Sequence, residues 1–117
     1  MIKWADAPTQ DSLDKAKHYL TLLGINGVAL ADDVRWVYPA KDLLRAADKP
    51  ALPQSNAGVA KWLKRIKAGE TVPSVLLVPG DLLASLPLTI AEGYHRVSAC
   101  YLIDEATPVV SYFLRWV

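Results

Sequence analysis

The chain has 117 residues, 52% of them hydrophobic and 21% charged, with a formal net charge of +1. That length and composition suit one folded domain and exclude a disordered polar tail. A nearly balanced charge argues against a protein whose main work is non-specific DNA binding, which favours a strongly basic face.

Residues 9–23 read as a helix. Thr9 or Asp11 can cap it, because a short side-chain oxygen accepts the free N–H groups of the first turn. Leu13, Ala16, Leu20 and Leu23 recur at helical spacing, and Gly24 follows where a helix end favours glycine. Residues 24–33 hold two glycines and two aspartates and read as a connector. Val34–Tyr38 reads as a strand, since β-branched and aromatic residues dominate it. Pro39 suits the first turn of a short helix to about Ala47, where its missing N–H is not needed. Residues 48–55, with Pro50 and Pro53, read as a loop. A second helix is predicted from about Asn56 to Ala68, capped by Ser55 or Asn56 and stopped by Gly69. Val59, Trp62, Leu63 and Ile66 form its apolar stripe, and Lys61, Lys64, Arg65 and Lys67 its solvated side.

Pro73 leads into a strand at Ser74–Val78, whose near-continuous apolar run suits burial on both faces. Pro79-Gly80-Asp81 reads as a turn, and Leu82–Leu86 fits either a short helix or a packed loop. Leu88–Glu92 reads as a strand, Gly93 as a hinge and Tyr94–Ile103 as a helix. Pro108–Trp116 is the last strand, with Val109, Ser111 and Phe113 alternating against Val110, Tyr112 and Leu114. The prediction is an α+β fold with a small mixed sheet of about four strands and packed helices. Residues 1–32 read as an N-terminal helical extension ahead of a compact core at 33–117.

Cys100 is the one cysteine, so no internal disulfide forms, and its place near the apolar side of its helix predicts a buried, inert thiol. No Cys/His cluster has zinc-ligand spacing. The start, Met1–Asp6, lacks the form of a signal peptide, and no run approaches the ~20 apolar residues of a membrane span. A soluble cytoplasmic protein without membrane contact is expected. The four tryptophans read as packing residues, with Trp4 and Trp116 as alternative partner contacts near the termini.

The informative stretch is Ile90-Ala91-Glu92-Gly93-Tyr94-His95-Arg96-Val97-Ser98-Ala99. A strand ends in an acid, glycine makes the turn, and a basic pair opens a helix. The first N–H groups of a helix lack intrahelical partners and carry partial positive charge, so a phosphate can sit on them. Gly93 lets an anion approach the backbone, Arg96 offers a forked cation, and His95 donates if protonated. Glu92 can hold a metal ion or accept a proton from an attacking hydroxyl. The plainer alternatives are an Arg96 paired with Asp104 or Glu105, a His95 bonded to backbone, a Glu92 that is only a strand-end charge, and a Tyr94 that packs rather than stacks on a base.

This stretch resembles the signature of the ParB/sulfiredoxin superfamily. The resemblance extends over roughly residues 34–113: Val34–Tyr38, Asp42-Leu43-Leu44, Val59–Gly69, Pro73–Val78, Glu92–Arg96 and Pro108–Val110 are similar to that family's elements in order. ParB proteins carry Gly-Glu-Arg-Arg at the turn, and this chain keeps Gly93 and Arg96. Tyr94 stands where sulfiredoxins have their reactive cysteine, which argues against that chemistry. The free-serine kinases' Asp-Gly-His-His-Arg is similar to Glu92–Arg96, with glutamate for aspartate and tyrosine for the first histidine. The resemblance implies phosphate or nucleotide binding at Gly93, Tyr94, His95 and Arg96. It also implies Glu92 as candidate catalytic acid or base with Mg2+, in a small phosphotransferase or nucleotide hydrolase. The alternative it implies is a non-catalytic regulatory or interaction module of plasmid, phage or chromosomal origin. Such a module would use the N-terminal helix to dock a second copy or another protein, and DNA contact is a weaker option.

Overall fold

The computed structural model describes residues 2–81 and 85–116. Among these the elements run α1 (Gln10–Leu22), β1 (Val28–Leu30), β2 (Trp36–Pro39), α2 (Ala40–Ala46), α3 (Ala57–Lys67), β3 (Val75–Val78), β4 (Thr89–Glu92), α4 (Tyr94–Ile103) and β5 (Pro108–Trp116). The caps follow from side-chain chemistry. Thr9 accepts from the Ser12 N–H at the start of α1, and Asn56 accepts from Gly58 and Val59 at the start of α3.

β5 organises the mixed sheet of five strands. Its first residues pair antiparallel with β2, from Pro39↔Pro108 to Trp36↔Ser111, and its last with β1, from Leu30↔Leu114 to Val28↔Trp116. Along its middle β5 runs parallel to β3, and β4 closes the far side antiparallel to β3. Strict alternation along β5 then divides the core. Val110, Tyr112 and Leu114 join Leu76, Val78 and Ala91 beneath Ala16 and Leu20 of α1. Val109 joins Val75 and Leu77 beneath Ala40, Leu43 and Leu44 of α2 and Val97 and Cys100 of α4. α3 lies outside α4, joined through Val59, Leu63 and Ala99. The sheet therefore has helices on both faces, and all four residues of β3 are buried, as their continuous apolar run predicts.

One expectation needs correction. Residues 24–33 are not only a connector, because Val28–Leu30 pair with β5 as β1 and raise the strand count to five. Three residues are too few to display an alternation in sequence. Residues 2–32 also pack on the sheet. Ala16 and Leu20 are fully buried against the sheet, and Trp4 bridges to Val72. The strand expected at Val34–Tyr38 begins at Trp36, because Asp32 Oδ1 accepts the Val34 N–H at 2.8 Å and holds a local turn. Of the stretch Leu82–Leu86, residues 82–84 lie outside the described residues, and Leu86 bridges antiparallel to Asp81.

Because α1 roofs one face of the sheet, Leu20→Ala is expected to lower unfolding free energy by about 3 kcal/mol in urea titration. A loss below about 1 kcal/mol, the size of an ordinary surface change, would mean that α1 is not part of the cooperative core.

Candidate functional site

β4 delivers Glu92 to the edge of the sheet, opposite Leu76 of β3. The chain then reverses through Gly93 at φ 117°, in the left-handed region, and α4 begins at Tyr94 with no side chain capping it. Glycine is required here twice over. The φ is poorly accessible to other residues, and a Cβ would stand 2.9 Å from both Arg96 Nη2 and Val75 Cγ2.

Arg96 does not point to solvent. Its residue exposure is 3%, and its guanidinium folds back on Glu92 at the end of β4. Nη2 donates to Glu92 Oε2 at 2.8 Å and Nη1 to Oε1 at 3.3 Å, a forked arrangement. Nη2 also approaches the Ser74 carbonyl at 3.4 Å, while Nε has no hydrogen-bond partner among the described residues. The Trp62 ring of α3 lies 5.3 Å from the guanidinium carbon and shields it from water. Arg65 and Lys61 approach the same ring at 5.2 and 5.7 Å. Burial lowers the Arg96 pKa from its ordinary value, and the charge and hydrogen bonds of Glu92 offset part of that effect. Burial likewise pushes the Cys100 thiol up to about 12, with the Arg96 charge pulling the other way. Cys100 is a buried neutral thiol, not a nucleophile.

The remaining motif residues divide. The Tyr94 hydroxyl donates to the Pro50 carbonyl and ties the start of α4 to the loop before α3. Ser98 adds a second tie by accepting the Leu52 N–H at 3.0 Å. His95 is exposed, and its ring lies so close to Gly58 that a Cβ there would fall 2.5 Å from Cδ2. Residues Ile90–Arg96 form one wall of a cleft of about 420 Å³, completed by Lys15 and Tyr19 of α1 and Lys61 and Trp62 of α3. The structure thus brings Glu92, Gly93, Tyr94, His95 and Arg96 to one place. It holds the carboxylate and the guanidinium against each other rather than toward a ligand. His18 and the remaining α3 cations, Lys64, Arg65 and Lys67, are not among the cleft residues.

Glu92 is the one carboxylate among the residues lining this cleft, and both its oxygens are engaged by Arg96. Among the described residues no group of three His, Cys, Asp or Glu could hold a metal ion. In this structure Arg96 thus occupies the oxygens that a metal ion or a proton would use. The alternative partners of Arg96 considered from sequence, Asp104 and Glu105, are not the ones used. Arg96 pairs instead with Glu92, which the left-handed turn at Gly93 brings against the first turn of α4. Lys15, Tyr19, Lys61 and Trp62 carry no local signal, since the cleft assembles them from separate helices.

Removing one member of a buried ion pair leaves the other charge unmatched. Glu92→Gln is therefore expected to lose about 3 kcal/mol of unfolding free energy, and Glu92→Gln/Arg96→Met to recover most of it. Equal stability of Glu92→Gln and the parent chain in urea would contradict the pairing. Comparison with known proteins gives no family model, curated protein or solved structure that matches the chain.

Proposed function

We propose that the cleft at the start of α4 binds a phosphorylated small molecule, with a nucleotide as the leading class, and that it binds without metal-dependent catalysis. The observation that carries this reading is the uncapped N-terminus of α4 at Gly93, which forms part of the cleft wall beside Lys15, Lys61 and His95. Helix-start N–H groups without a side-chain cap favour an anion, and Lys61 raises the local positive potential, whereas Lys15 is paired with Asp11. Arg96 and Glu92 neutralise one another and act as the support beneath the turn. The chain order of β2, α2, α3, β3, β4, α4 and β5 supports the resemblance to the ParB/sulfiredoxin superfamily, and with it a phosphate at this turn. The occupied carboxylate weighs against the phosphotransferase and nucleotide-hydrolase readings.

Calorimetry with a panel of nucleotides is expected to show binding that Lys61→Ala and His95→Ala each weaken about three- to tenfold, the range for losing one polar or charged contact. Both side chains are exposed, so these variants leave the core intact. The reading is lost if no nucleotide binds at millimolar concentration.

A second reading, a non-catalytic interaction module, is favoured by the end of α1. Leu22 is 72% and Leu23 52% exposed there, although the rest of the helix is seated on the sheet. In that case light scattering shows a concentration-dependent complex that Leu22→Ser/Leu23→Ser abolishes. A monomer at all concentrations counts against self-association through α1.

A further inference from the structure

A second and larger cavity, of about 620 Å³, shares no residue with the cleft at α4. Ile66 and Lys67 of α3 and Ile103 of α4 contribute to its lining. α1 sits chiefly over β4 and β3, and the neighbouring face of β2 and β5 carries Val37 and Val110 as cross-strand partners. Ile2 and Trp4 form a wall. That wall is fixed by backbone, since the Ala5 N–H donates to the Val72 carbonyl at 2.9 Å and the Val72 N–H to the Lys3 carbonyl at 2.7 Å. The cavity is therefore built into the fold. Its volume lies in the range of small-molecule sites, roughly 300–1,000 Å³.

The chemistry of the lining is uneven. It is mostly apolar, and among the described residues it contains no carboxylate and two charged side chains, Arg35 and Lys67. Both are exposed, and among the described residues neither forms an ion pair. A nucleotide would bury its sugar and base edges here with few partners, which is unfavourable. A cationic ligand would meet two like charges. An apolar chain or ring ending in one carboxylate matches both parts of the lining, with its body on Trp4, Val37 and Val110 and its head toward Arg35 or Lys67.

We propose that this cavity is a binding site for an amphipathic carboxylate of small-molecule size, separate from the phosphate cleft. Octanoate serves as the probe, with octanol and octylamine as charge controls. Titrations are followed by calorimetry and by the amide and indole signals of the full chain. Octanoate is expected to bind and to move the Trp4 indole together with Val37 and Val110, and octylamine to bind at least about tenfold more weakly. Arg35→Gln/Lys67→Gln is expected to weaken octanoate about tenfold and to leave octanol unchanged. Both substitutions fall on exposed side chains and leave the core intact. Equal affinity for octanoate and octylamine overturns the proposal, as does no binding at millimolar octanoate or shifts confined to Glu92–Arg96. A dimer that Val37→Glu dissociates and octanoate does not compete with would also overturn it, by assigning this face to a second copy of the chain.

Discussion

A guanidinium taken out of water needs an acceptor within reach, and Arg96 finds one in Glu92. The rest of the β4–α4 region follows from that pairing. Glu92 must stand at the end of β4 so that its carboxylate can meet a side chain from the first turn of α4. The connecting residue must then reverse the chain with φ at 117° and leave room for Arg96 Nη2, which selects glycine. Trp62 must come from α3 to cover the guanidinium, which fixes how α3 sits on α4. The cleft between α1, α3 and the turn is the space left once these demands are met.

The same pairing sets what the site can do. An arginine engaged by a carboxylate adds no net charge for a ligand, and a carboxylate engaged by an arginine is a poor base and a poor metal ligand. The positive potential of the cleft comes instead from the start of α4 and from the exposed Lys61, since Lys15 is paired with Asp11 at 3.2 Å. That is a setting for holding an anion. A separate cavity, lined among others by Trp4, Val37, Ile66 and Val110, is of different character. The cleft at α4 is formed by a helix start and carries the ion pair. The second cavity is mostly apolar.

Much of the fold was legible in the sequence because its signals are local. The helix at Tyr94–Ile103 and the strand at Pro108–Trp116 have the predicted limits, since a glycine, an aspartate and a proline punctuate them. The alternation of Val109 and Val110 predicted the two faces of β5 correctly. β1 was not legible because a three-residue strand exists only through its pairing with Leu114–Trp116. What α1 packs against was not legible for a related reason. Leu13, Ala16 and Leu20 announce an apolar face but not what covers it. At the site, the position of the turn was legible and the direction of Arg96 was not. The motif suggests a cation offered to a ligand, whereas burial under Trp62 turns it inward. That burial depends on a tryptophan 34 positions earlier in the chain (96 minus 62), which no short motif contains.

The central claim is that an anion at this turn is held by backbone N–H groups while Arg96 stays with Glu92. Phosphate titration followed by 1H–15N spectra separates the two directly. The account predicts saturating shifts of the Tyr94, His95 and Arg96 amides with the Arg96 Nε–H signal unchanged. Movement of the Arg96 side-chain signal with those amides unmoved, or no movement of either, would contradict it.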